Sequence, residues 1–190
     1  MNWMKKVAVA LVCLLPLGLQ AAKVDTLQVK SPSMNKSIEV VVVSPDVTAT
    51  KACPVIYLLH GYGGNARTWV GIKPDLPKIA DEKGIFFVCP DGKNTWYWDS
   101  PLNADVRYET FISDELVKYV DSHYKTVADR KGRAITGLSM GGHGAMWNGL
   151  RHSDVFSAAG STSGGVDIRP FPKNWEMSVQ IGEKAKYPEN

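Results

Sequence analysis

Ala134-Ile135-Thr136-Gly137-Leu138-Ser139-Met140-Gly141-Gly142 limits what this chain can fold into more than any other stretch. Arg133–Gly137 reads as a β-strand and Met140–Arg151 as a helix. The G-x-S-x-G between them reads as a turn sharp enough to hold the Ser139 hydroxyl clear of the backbone. Gly137 and Gly141 flank the serine because a Cβ two residues to either side would crowd the turn and the helix behind it. A strand that feeds a helix in this way belongs in a mostly parallel sheet with helices on both faces.

The rest of the pattern agrees. Val24–Val29 and Ile38–Val43 read as two early strands joined by a turn around Ser31-Pro32-Ser33 and Asn35-Lys36, the second with a β-branched run at Val40–Val43. Pro54–Leu59 and Ile85–Cys89 read as buried strands, and Leu76–Glu82 as a short helix stopped at Gly84. Glu109–Tyr124 carries Ile112, Leu116, Tyr119 and Val120 at helical spacing, with Lys118, Asp121 and Ser122 turned outward. Val155–Gly160 is the last expected strand. In such sheets ligands sit at the carboxyl ends of the strands. There the loops His60–Gly64 and Asp91–Tyr108 are expected to meet the serine turn.

At 190 residues the chain suggests one domain, residues 22–190, behind a leader. Lys5 and Lys6, the apolar run Val7–Leu19 and the small residues Ala21-Ala22 predict a signal peptide over residues 1–21. The run is too short for a spanning helix, which needs about 20 apolar residues. Export to the periplasm or outside the cell follows, with no membrane association after cleavage. Losing Lys5 and Lys6 lowers the net charge from +3 to +1, which gives no reason to expect a nucleic-acid or polyanion partner. Export also permits disulfides. If Pro54–Leu59 and Ile85–Cys89 are parallel neighbours, Cys53 and Cys89 lie at opposite ends, about 15–20 Å apart at ~3.3 Å per residue. A bridge needs Cα atoms within about 7 Å, so two free, buried thiols are expected.

A serine hydroxyl attacks a carbonyl once a base removes its proton, the base being oriented by a carboxylate. The oxyanion that forms needs preorganised N–H donors. The Met140 N–H is one candidate, and the Tyr62 N–H in His60-Gly61-Tyr62-Gly63-Gly64 is the other. No histidine presents itself as the base. His123 and His152 read as surface or capping residues, and His143 sits on the helix behind the serine. His60 belongs to the loop that shapes the oxyanion site, where a stabilising role fits better than proton transfer. Trp96, Tyr97 and Trp98 allow two readings: a stacking wall for an aryl or sugar group, or a loop pinned to the domain by its own aromatics. Trp69 and Trp147 read as core. Asp99, Asp105 and Asp167 are loop carboxylates with no histidine to orient.

Taken together, His60-Gly61-Tyr62-Gly63-Gly64, Pro90-Asp91-Gly92 with Trp96-Tyr97-Trp98-Asp99-Ser100, and Gly137-Leu138-Ser139-Met140-Gly141-Gly142 resemble the esterase D-like serine hydrolases. That group includes feruloyl and acetylxylan esterases, tributyrin-type esterases, S-formylglutathione hydrolases and the mycolyltransferases. The resemblance runs from about Leu27 to Val166. It implies an α/β-hydrolase fold and a serine hydrolase without cofactor or metal. It also implies Ser139 as nucleophile, and Tyr62 and Met140 as oxyanion donors. A signal peptide with an aromatic loop points toward the carbohydrate-ester branch, with small-molecule or polysaccharide esters as substrates. In the family the acid and the histidine follow later strands. Here they are expected beyond residue 190, with the last strands of the sheet. The polar stretch from Val166 onward offers neither a histidine nor a clear strand. An inactive fragment, a carbohydrate-binding module and a sugar acyltransferase are the competing functions; the oligomeric state is left open.

Overall fold

The computed structural model describes residues 22–49, 51–171, 173–183 and 186; the leader expected over residues 1–21 lies outside them. Six strands form one sheet: β1 (Lys23–Ser31), β2 (Lys36–Ser44), β3 (Val55–Leu59), β4 (Phe86–Pro90), β5 (Arg133–Leu138) and β6 (Ala158–Thr162). Their spatial order is β1-β2-β4-β3-β5-β6. β1 and β2 form an antiparallel hairpin, and β2 runs antiparallel to β4. The remaining neighbours are parallel, so β3, β4, β5 and β6 end on the same side of the molecule.

Both faces of the sheet are covered, and alternation along each strand assigns its side chains. Val40 and Val42, Tyr57 and Leu59, and Phe86 and Val88 enter one apolar layer. Val41 and Val43, Leu58, and Phe87 and Cys89 enter the other. This two-sided burial makes β4 buried at every position and explains the unbroken β-branched run in β2. The helices α1 (Thr68–Ile72) and α2 (Leu76–Lys83) lie over the second layer, where Leu76 and Ala80 are buried. Gly84 ends α2 in the left-handed region at φ 63°, its N–H returning to the Ala80 carbonyl.

The first layer is closed by two longer helices. Tyr108–Thr110, Phe111–Glu115 and Leu116–His123 run end to end as α3, whose middle stretch is a π-helical turn. Helix α4 (Met140–Arg151) follows the serine turn directly. Glu109, buried near the start of α3, accepts hydrogen bonds from Trp147, Arg151 and His152 and so ties the two helices together. His152, expected as a surface or capping residue past a helix end, is half-buried and bound to Glu109.

The last strand also starts later than the sequence predicts. The N–H groups of Val155 and Phe156 both donate to the His152 carbonyl, which holds residues 152–156 in a turn. Phe156 is buried edge-on against Tyr57, and β6 opens only at Ala158. Cys53 and Cys89 are buried free thiols as expected, Cys53 just before β3 and Cys89 near the end of its parallel neighbour β4. A short helix, α5 (Met177–Ile181), lies in the stretch after β6.

Candidate active site

Ser139 sits between β5 and α4 at φ 54°, ψ −116°. A side chain reaches that conformation only at a cost of about 1–3 kcal/mol, so the surroundings must enforce it. The Ser139 N–H donates to the Thr162 carbonyl at the end of β6, 2.8 Å away, and its carbonyl accepts from His143 N–H at 3.0 Å. Behind the turn the backbones touch. A Cβ on Gly137 would lie 2.3 Å from the Gly141 carbonyl oxygen, and one on Gly141 would lie 2.2 Å from that of Leu59. No residue other than glycine fits at either place. The result is an exposed hydroxyl on a fixed bend.

The loop after β3 reaches the same point. A Cβ built on Gly61 would lie 3.5 Å from the Ser139 Cβ, and Tyr62 lines the same cleft as Ser139. Met140 opens α4, and the N–H groups of a helix's first turn have no acceptor within the helix. Tyr62 is partly exposed. Desolvation and a hydrogen bond to Glu176 push its phenol up from the usual value.

Two histidines lie close by, and both are committed elsewhere. Nε2 of His60 accepts the Gly92 N–H at 2.9 Å, so the ring proton is on Nδ1 and goes to the Gly61 carbonyl at 2.8 Å. Its side chain is buried against Tyr97. Nε2 of His143 accepts the Trp98 indole N–H at 2.8 Å, which puts the proton on Nδ1, 2.7 Å from the Gly165 carbonyl. Burial lowers the pKa of His143, only partly offset by the Gly165 bond. Asp91, beside His60, is buried, which by itself raises its pKa. Two bonds from Lys93 and its positive charge more than reverse this and hold the carboxyl well below the usual range.

The aromatic loop divides residue by residue. Trp96 lines the cleft while stacking on Trp98, and its indole donates to the Trp175 carbonyl. Tyr97 is fully buried, its hydroxyl on the His60 carbonyl, and Trp98 is buried against His143 and Trp147. Tyr97 and Trp98 thus pin the loop to the domain, and neither faces the cleft. Trp69 and Trp147 are only partly buried at the edges of the two apolar layers. Asp99 accepts the N–H and hydroxyl of Thr110 at the start of α3, and Asp105 is an exposed loop residue. Asp167 is at the cleft, paired with Arg169. Among the described residues, no cluster of His, Cys, Asp or Glu is arranged to hold a metal ion.

The stretch after β6, which the sequence presents as a polar tail, supplies most of the remaining wall. Ile168, Phe171, Trp175 and Met177 line a cleft of about 150 Å³ around Ser139. No local periodicity marks them, because the described residues between 166 and 175 lie in bends, turns and irregular backbone. Eight described non-glycine residues adopt positive φ, and four of them, Trp96, Ser139, Ser163 and Trp175, line this one cleft. Backbone strain of this kind gathers at functional sites.

The chain is similar to known proteins in sequence and in fold. The family described as "Putative esterase" matches residues 31–188. An esterase of Mycobacterium tuberculosis is 30% identical over 149 residues, which span 75% of this chain and 32% of that protein. A diacylglycerol acyltransferase/mycolyltransferase of Mycobacterium leprae is 32% identical over 158 residues, 76% of this chain and 44% of that protein. A solved ferulic acid esterase superposes with a TM-score of 0.70 at 30% identity, covering 88% of this chain and 70% of its own. This chain therefore spans less than half the length of those two curated relatives. The parallel sheet, the helices on both of its faces and the strand-turn-helix at Ser139 are those of an α/β-hydrolase, and the chain belongs to the esterase family.

Proposed function

We propose that the protein is an exported carboxylic-ester hydrolase with Ser139 as its nucleophile and an aryl acyl group, of the feruloyl kind, as its preferred acyl half. One observation carries the reading: Ser139 is exposed on a strained turn and faces a cleft walled by Tyr62, Trp96, Phe171 and Trp175. Aromatic side chains around a reacting hydroxyl favour an aromatic ring, which gains from stacked or edge-on contacts. The solved ferulic acid esterase of similar fold supports the same choice.

On this reading a base takes the Ser139 Oγ proton as Oγ bonds to the ester carbonyl carbon. The N–H groups of Tyr62 and Met140 stabilise the oxyanion, helped by the positive end of the α4 dipole. The intermediate collapses, the C–O bond to the alcohol breaks, and the alcohol leaves with the proton from the base. Water then attacks the acyl-serine by the same path and frees the acid. His60 and His143 already spend both ring nitrogens on other partners, so neither is assigned as the base. The test is hydrolysis of methyl ferulate and methyl acetate by the full gene product and by its Ser139→Ala variant. Equal rates for the two proteins end the reading, and a preference for acetate ends the aryl assignment. Amino-terminal sequencing of the exported protein tests cleavage after Ala21.

The mycolyltransferase relative favours a second reading, acyl transfer to a sugar hydroxyl in place of water. The serine chemistry is the same. Acylated sugar among the products, when a sugar acceptor is present, identifies it.

A further inference from the structure

A second pocket, of about 320 Å³, lies on the other side of the loop that carries Tyr62. Its walls come from the β1–β2 hairpin, through Gln28, Ser37 and Glu39, and from the segments after β3 and β4, through Arg67, Asp91 and Lys93. Four of these side chains are charged and stand in opposed pairs. Lys93 Nζ is 2.5 Å from Asp91 Oδ2, and Arg67 Nε is 3.8 Å from Glu39 Oε1. The charges cancel, which gives neither an anion nor a cation an advantage. What remains is a dense mixture of strong acceptors and strong donors, joined by the amides of Gln28 and Asn65 and the hydroxyl of Ser37. A sugar hydroxyl both donates and accepts, and so matches such a lining.

The pocket is mechanically part of the Ser139 region. Gly63 N–H donates to Asn94 Oδ1 at 2.8 Å, and the Gly92 N–H that binds His60 follows Asp91 directly. The strand order places the aromatic cleft over β5 and β6 and the polar pocket over β2 and β4, with β3 between them. From β5 to β2 is three strand steps, about 14 Å at ~4.8 Å each. An ester whose alcohol half is a short oligosaccharide can bridge that distance, whereas methanol or a single sugar cannot.

We propose that this polar pocket is a subsite for a neutral sugar unit in the alcohol half of the substrate, a few residues along the oligosaccharide from the esterified hydroxyl. The proposal rests on the esterase reading of Ser139 but is tested apart from it. The Ser139→Ala chain is titrated with an unesterified, neutral arabinoxylotriose while its backbone amides are followed by ¹⁵N NMR. Shifts at Ser37, Asn65 and Lys93, saturating together and weakened about tenfold by Arg67→Ala, are expected, a loss typical of one charged hydrogen bond. Arg67 is largely exposed, so the variant is expected to fold. No shift in the pocket, shifts confined to the Ser139 cleft, or tighter binding of glucuronate or inorganic phosphate than of the neutral sugar would overturn the proposal. In kinetics, Arg67→Ala is expected to lower the ratio of kcat/KM for a feruloylated arabinoxylotriose over that for methyl ferulate by about tenfold. An unchanged ratio, with both esters hydrolysed, sinks the subsite and leaves the esterase reading standing. Sugar binding with neither ester hydrolysed does the reverse.

Discussion

His60 Nε2 accepts the Gly92 N–H at 2.9 Å, which makes one buried imidazole the joint between the loop after β3 and the end of β4. The same ring holds the Gly61 carbonyl and so fixes the backbone just before Tyr62, while Asn94 holds the Gly63 N–H just after it. Replacing His60 by alanine strands a buried N–H and opens a cavity. The expected loss is about 2–4 kcal/mol of stability, read from urea unfolding. A loss below about 1 kcal/mol would mean that the joint is dispensable.

Ser139→Gly is expected to trade function for stability. Glycine tolerates φ 54°, ψ −116°, and relief of the strain exceeds the extra chain entropy of glycine. The variant should unfold about 1 kcal/mol later than the wild type and show no ester hydrolysis. Ser139→Ala, equally inactive, keeps the strain and should gain nothing. If the two variants are equally stable, the turn is not strained.

His143 makes stability depend on pH in a defined window. Its native pKa lies below the ordinary value of 6.5 because it is buried, so the unfolded chain takes up a proton first as pH falls. Its contribution is complete above pH 6.5 and is lost progressively below it, down to the native pKa. Asp91 and Glu109 have lowered pKa values, and what they contribute is lost only in the carboxylate range. Urea midpoints between pH 7.5 and 5 should therefore fall for the wild type and fall less steeply for His143→Phe. Parallel slopes would place the titrating group elsewhere.

Trp175 is, with Tyr62 and Phe171, one of three exposed aromatics of the cleft wall, held by the bond from the Trp96 indole to its backbone carbonyl. Trp175→Ala keeps that carbonyl and removes the ring. The expected effect is a two- to tenfold drop in kcat/KM for methyl ferulate relative to methyl acetate, about 0.5–1.5 kcal/mol of aromatic contact. An equal effect on both esters would leave the ring without a part in acyl selection.

The two thiols should be silent in the native protein. Burial pushes Cys89 up to about 12 and raises Cys53 as well, which removes the reactive thiolate. A thiol reagent such as DTNB is expected to react with neither residue until denaturant is added. Fast labelling without denaturant would show the strand ends to be open.

The sheet was legible because each buried strand is covered on both sides and its sequence has to say so. Val40–Val43 and Phe86–Cys89 are apolar without interruption because alternate residues enter different layers. The serine turn was legible for a related reason. Gly137 and Gly141 are forced by contact with backbone close in sequence or on the next strand. By contrast, the fate of Trp96, Tyr97 and Trp98 was open, because a large aromatic serves a core and a cleft equally well.

What the sequence determined by itself is therefore whatever local sterics and strand periodicity dictate: the strands, the helix after Ser139 and the place of the serine on its bend. The tertiary structure alone decided which side chains surround that serine. Ile168, Phe171 and Trp175 reach it from a stretch that reads as a tail, and the donors to Nε2 of His60 and of His143 lie 32 and 45 residues away. Such contacts form only when strands distant in the chain are brought side by side, and no local pattern encodes that neighbourhood.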